Sequence, residues 1–299
     1  MFVNGSIAPR TLGLVGAKGG VGTTVAATSL AWALSQRGLR VVLLDLDLRS
    51  GQAALHLCER NAGPTVGDAM RVMERLDDTL LDTLLTPCSP ALRLLPAPRD
   101  WAALPDGSDE DASALLKLLR TATELADWVV LDLPAGAMTS ARFGPLLRDL
   151  QEVALVTEPT LPATFNARRA WQWLQEHRSA PGANTLLLNK VQRHTGLPSE
   201  QVRRTLGLDG EADAWRELPR SDAAVAQATY QGQAVGAVNP KDAWSRAVCR
   251  WANELEQRRC SREPTTTAPT AEDGQAVPMH PAAAAPPRPW HERLLRWAP

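Results

Sequence analysis

An excess of positive charge is missing from this chain: 32 Lys and Arg stand against 33 Asp and Glu in 299 residues, for a formal net charge of −1. Proteins that grip DNA without sequence preference draw their affinity from neutralised phosphates, so this balance argues against DNA as a partner, although a local basic face is compatible with it. Also missing is an apolar run near the ~20 residues that a membrane-spanning helix needs. Residues 1–10 lack the charged start and apolar stretch of a secretory signal. Paired cysteines are missing too, since Cys58, Cys88, Cys249 and Cys260 are scattered without metal-ligand spacing. The expectation is therefore four reduced, mostly structural thiols in a cytosolic protein. No internal repeat is visible.

What is present is enough apolar material, 44% of the chain, for a real core. Residues 12–17, 40–46, 128–133, 153–157 and 185–189 form near-continuous apolar runs, and residues 92–97 add another. Such runs mark parallel strands covered on both faces. Helical patterns occupy residues 24–37, 112–126, 163–177, 222–231 and 242–257; the last carries Trp244, Val248, Trp251 and Leu255 on one face. The alternation predicts an α/β fold, a doubly wound and mostly parallel sheet with helices on both faces. Residues 1–9 read as an extension and 10–258 as the folded domain. Residues 259–288, rich in Pro, Ala and Thr, read as a disordered linker. A short amphipathic segment follows at 289–299, with Trp290, Leu294 and Trp297 beside Arg293 and Arg296.

The most informative stretch joins the first strand to the first helix: Lys18-Gly19-Gly20-Val21-Gly22-Thr23-Thr24. Glycines there let backbone N–H groups converge on a phosphate at the positive end of a helix dipole. The Thr24 hydroxyl stands where Mg²⁺ is bound. An ordinary phosphate loop carries lysine just before that hydroxyl residue. Here that position is Thr23, which supplies no charge, and a lysine occurs earlier, at Lys18.

Carboxylates follow at strand ends, where an open α/β sheet faces its ligand crevice. Asp45 and Asp47 close the second strand, and Asp132 follows four apolar residues in the manner of a Walker B aspartate that holds Mg²⁺ through water. Ala135-Gly136 then supplies a flexible, switch-like turn.

The loop resembles the deviant Walker A motif of the MinD/ParA ATPases, and the likeness extends over about residues 10–256. The resemblance implies ATP and Mg²⁺ as cofactors, with Gly19, Gly20, Val21, Gly22, Thr23 and Thr24 around the phosphates. It also implies that Lys18 reaches the nucleotide of a second copy, that Asp45 joins Thr24 and Asp132 in the metal shell, that Asp47 positions the attacking water, and that Asn189 and Pro219 flank the adenine. Most of the family carries both lysines; this chain keeps only the early one. Asn166 stands where MinD-type proteins often carry an aspartate near that lysine.

Several stretches resemble the CpaE/TadZ branch, which serves Flp-type (Tad) pili. They include Asp45-Leu46-Asp47-Leu48-Arg49-Ser50-Gly51, Leu92-Arg93-Leu94-Leu95-Pro96-Ala97-Pro98 and, most specifically, Thr157-Glu158-Pro159-Thr160-Leu161-Pro162-Ala163. That resemblance implies a cytoplasmic, ATP-dependent homodimer that helps localise and assemble a pilus secretion machine, recruited to the inner membrane or a cell pole. Its partners would be pilus or secretion proteins, with residues 289–299 as a membrane or partner contact. The missing loop lysine makes hydrolysis slow or absent, down to a pseudo-ATPase that only binds. A BcsQ-like role in cellulose secretion and a ParA-type partition ATPase remain open as alternatives.

Overall fold

The structure is a computed structural model that describes residues 10–58, 63–98, 109–178, 184–192, 196–208 and 214–261. The segment 289–299 and nearly all of the expected linker lie outside the described residues.

Eight strands among the described residues form one sheet in the order β3-β4-β2-β5-β1-β6-β7-β8. They are β1 (Arg10–Gly16), β2 (Val41–Asp45), β3 (Thr86–Ser89), β4 (Leu92–Leu95), β5 (Trp128–Leu133), β6 (Glu152–Thr157), β7 (Asn184–Val191) and β8 (Trp215–Pro219). Every neighbouring pair is parallel except β3 with β4. The helices are α1 (Thr23–Ser35), α2 (Val66–Arg71), α3 (Asp78–Leu84), α4 (Asp109–Leu125), α5 (Gly144–Asp149), α6 (Leu161–His177), α7 (Ser199–Thr205), α8 (Asp222–Gln231), α9 (Val235–Val238) and α10 (Ala243–Ser261).

Strand alternation divides the apolar side chains into two cores. Val42, Leu44, Val129 and Leu131 pack on one face with Leu115 and Leu118 of α4 and Trp171 and Leu174 of α6. Val41, Leu43, Trp128 and Val130 pack on the other with Leu30 and Leu34 of α1 and Trp244, Trp251 and Leu255 of α10. Helix α1 is buried along almost its whole length from Ala26 to Ser35, which explains its run of small and apolar residues. The doubly wound sheet expected from the sequence is therefore present.

The parallel strands direct their C-terminal ends to one edge. Around β1, with β5 on one side and β6 on the other, the order of connection reverses; ligand crevices of open α/β sheets form at such switch points.

One expectation is corrected. Cys58 and Cys88 are disulfide-bonded across a separation of 30 residues, whereas Cys249 is free. The topology brings the end of the short turn after β2 beside edge strand β3, a proximity that linear spacing does not reveal.

Candidate functional site

The loop between β1 and α1 opens at the switch point. The Ala17 N–H donates to the Val156 carbonyl of β6 at 2.8 Å, which fixes where the loop begins. Gly20 and Gly22 have φ of 81° and 94°, the left-handed region that favours glycine. Gly22 is also the N-cap of α1, makes no side-chain cap, and is followed by a first turn without an acidic residue. The first N–H groups of the helix are thus left without a built-in anion.

The loop is backed from inside. Asn189 donates from Nδ2 to the Val21 carbonyl at 2.9 Å and accepts at Oδ1 from Trp244 Nε1 at 3.0 Å. A Cβ on Gly22 would lie 2.5 Å from Asn189 Nδ2, so loop and amide are fitted to each other. One amide proton and one lone pair of Asn189 remain for other partners. Pro219 pairs with Val191 across β7 and β8, which brings it to the same end of the sheet as Asn189.

The loop's outer side carries charge. Lys18 Nζ lies 2.9 Å from Glu158 Oε1, and Lys190 Nζ lies 3.0 Å from Glu158 Oε2. Each ammonium also donates to a loop carbonyl, Lys18 to Gly19 at 3.1 Å and Lys190 to Gly20 at 2.6 Å. Burial alone would push the Glu158 carboxyl up, but the hydrogen bonds and charges of the two lysines outweigh it and hold the carboxyl below its ordinary range. Lys18 therefore has a countercharge, supplied by the end of β6 rather than by position 166. Asn166 instead lines a cleft of about 380 Å³ with Gly16, Ala17, Gly136 and Trp173.

Opposite the loop, Asp45 and Asp132 are register partners on β2 and β5, each 1% exposed. Asp45 accepts from the Ala53 N–H at 2.9 Å and from the Asp47 N–H at 3.3 Å. Asp132 accepts from the Thr24 hydroxyl, but its Oδ2 is buried without a hydrogen-bond partner. Burial, followed by repulsion from Asp47, pushes the Asp45 carboxyl up to about 7 against the pull of its backbone donors. Burial and repulsion from Asp45 raise Asp132 well above the usual carboxylate range. Two adjacent carboxylates out of water demand a proton or a cation between them. No group of three or more His, Cys, Asp or Glu among the described residues forms a metal cage. Two carboxylates and a hydroxyl suit Mg²⁺, which keeps several of its waters.

Asp47 accepts at Oδ1 from the Ser50 N–H at 3.1 Å. It borders a second cleft of about 240 Å³ with Leu48, Pro134, Gly136 and Ser140. The structure thus gathers Lys18, the loop, Thr24, Asp45, Asp132 and Asn189 around one crevice, with Asp47 at its side. Sequence reasoning passed over Glu158 as a charge partner, as well as Lys190 and Trp244. Glu158 ends β6 next to the crevice and Lys190 directly follows Asn189, so their strand-end positions were the available signal.

Comparison with known proteins agrees with this geometry. Residues 12–160 match the model of the CobQ/CobB/MinD/ParA nucleotide binding domain. The septum site-determining protein MinD of Synechocystis is 29% identical over 187 residues, covering 61% of this chain and 65% of that protein. This chain spans between 54% and 70% of the length of the curated relatives it matches. A ParA family ATPase from Chlorobium tepidum superposes with a TM-score of 0.75 at 26% identity, covering 84% of this chain and all of that one. MinD of Pyrococcus horikoshii, solved with Mg-ADP, shares the fold with a TM-score of 0.68 at 20% identity, over 84% of this chain and 97% of its own. Over residues 12–160, the chain carries a nucleotide-binding domain of the CobQ/CobB/MinD/ParA family.

Proposed function

We propose that this chain binds ATP with Mg²⁺ and, in that state, pairs with a second copy to serve as a positional scaffold for a Flp/Tad-type pilus machine, turning ATP over slowly or not at all. The observation that carries the nucleotide reading is the buried Asp45–Asp132 pair with its orphaned oxygen beside Thr24. Bound Mg²⁺ would neutralise those carboxylates and, with the loop N–H groups, the phosphates. Thr24, Asp45 and Asp132 would hold it. Asp47 would orient water for attack. Asn189 and Pro219 would stand on the base side, with Asn189 also supporting the loop. The solved complex of P. horikoshii MinD with Mg-ADP is consistent with this ligand.

Pairing is favoured by what lies beside Lys18. Leu161 and Phe165, one turn apart on α6, are 71% and 64% exposed and follow closely after Glu158. Large apolar side chains so placed next to a nucleotide loop suit burial by a partner. The pilus assignment rests on the stretches of residues 45–51, 92–98 and 157–163 that resemble the CpaE/TadZ branch.

Titration calorimetry with ATP, with and without Mg²⁺, tests the site: Asp132→Asn should reduce the effect of Mg²⁺ on affinity, and equal affinity under both conditions for the wild type sinks the metal assignment. Deleting the gene and counting surface pili tests the biological role. An unchanged count removes the pilus reading and leaves the nucleotide site standing.

A further inference from the structure

Two consecutive residues of a strand ordinarily point to opposite faces. Asn189 and Lys190 break that rule, since both reach the same loop, at the Val21 and Gly20 carbonyls. The cause is local. The β7–β8 register shifts between Leu188 and Val191, and Lys190 has φ 58°, the positive φ found at a non-glycine position among the described residues. Bulges re-aim side chains, and a lysine in the left-handed region is a conformation that the surrounding structure must hold.

The result is a cation on a loop that lacks one at its usual place, position 23 being threonine. We propose that Lys190 is the phosphate-binding cation that this loop lacks at Thr23, delivered in cis from the end of β7 and kept on the loop by Glu158. The inference rests on the nucleotide reading above and names the residue that completes its charge balance. A lysine ammonium has three protons. Gly20 and Glu158 engage Lys190 at 2.6 and 3.0 Å, which leaves one donor for an incoming phosphate, and the side chain is 34% exposed, so solvent and ligand can reach it. Glu158 holds Lys18 by its other oxygen, so a polyphosphate entering the loop competes with one carboxylate for two ammonium groups.

The test uses the full chain and ATP titration calorimetry at low and raised salt. Lys190→Asn removes the charge with a residue that tolerates left-handed backbone. It should weaken ATP binding roughly 10- to 100-fold, the scale of one charge-assisted hydrogen bond, and flatten the salt dependence. Lys190→Arg should retain most of the affinity. Lys190→Asn combined with Thr23→Lys should regain it, which a merely structural role for Lys190 would not produce. Lys190→Asn binding within about twofold of wild type, or a loss that Thr23→Lys does not repair, overturns the proposal. If Lys190→Asn does not fold, Glu158→Gln decides: it frees the ammonium, so affinity should rise, and an unchanged or lower affinity overturns the idea. A wild-type chain that binds no ATP overturns both this proposal and the nucleotide reading; wild-type binding with an indifferent position 190 overturns this one alone.

Discussion

Asp45 and Asp132 show how much of a site can rest on two side chains. Their carboxyls titrate upward because burial and mutual repulsion favour the protonated forms. A raised folded-state value means that the fold binds these protons more tightly than the unfolded chain does. The associated stability is fully present below the ordinary carboxyl value of 3.8 and is lost as pH rises through about 7. The melting temperature without Mg²⁺ should therefore fall between about pH 5 and about pH 8. Asp132→Asn should shrink that fall, and Mg-ATP should stabilise the wild type more at the alkaline end. A melting temperature that rises over this range contradicts the assignment. Gly22 is as specific. With φ 94° and an added Cβ 2.5 Å from Asn189 Nδ2, Gly22→Ala should cost about 1–3 kcal/mol in urea unfolding and displace Asn189 from the loop. A variant as stable as wild type would mean that the loop adapts.

Between elements, the coupling runs from α10 through β7 to the loop. Trp244 is 2% exposed and its Nε1–H reaches Asn189, which in turn holds the Val21 carbonyl. Trp244→Phe keeps most of the packing but strips a buried acceptor of its donor, at about 1–3 kcal/mol. ATP affinity should drop with it because the loop loses its brace, and calorimetry beside a thermal melt separates the two effects. The same contrast explains what the sequence made legible. Strands β1, β2, β5 and β6 are buried on both faces, and their apolar runs announce them. Edge strands β3, with Pro87, and β8, with Arg216 and Glu217, present no such run because water covers part of each. Helices α2, α3, α5, α7 and α9 span four to seven residues, too short for a 3.6-residue period to declare itself. At the site, glycines and acidic strand ends are local patterns and were readable. The Glu158–Lys190 contact was not, because it depends on a register shift and a left-handed residue that no spacing encodes. The Cys58–Cys88 bond escaped for the same kind of reason.

At the scale of the whole molecule, the question is whether one chain suffices. Lys18 is 30% exposed and paired with its own Glu158, beside the exposed Leu161 and Phe165. A lysine parked on a carboxylate of 14% exposure can be released when a phosphate or a second copy competes for it. We expect ATP to shift sedimentation from monomer to dimer, and Lys18→Ala to abolish that shift without unfolding the monomer, since Lys190 still neutralises Glu158. Leu161→Asp with Phe165→Asp should abolish it too while ATP binding persists, which separates the surface from the site. Phosphoryl transfer is catalysed mainly by position and charge, and an in-trans cation can contribute about 10³–10⁵ in rate. A dimer with Thr23 in the loop should bind ATP better than it hydrolyses it, with turnover well below roughly 1 s⁻¹. Thr23→Lys should raise turnover about tenfold or more if Asp47 stands where water attacks, and Asp47→Asn should cancel that gain. Phosphate release measured on the same samples as sedimentation decides the matter: Lys18→Ala dimers formed with ATP sink the trans-lysine role, and rapid wild-type release sinks the claim that Thr23 slows the chemistry.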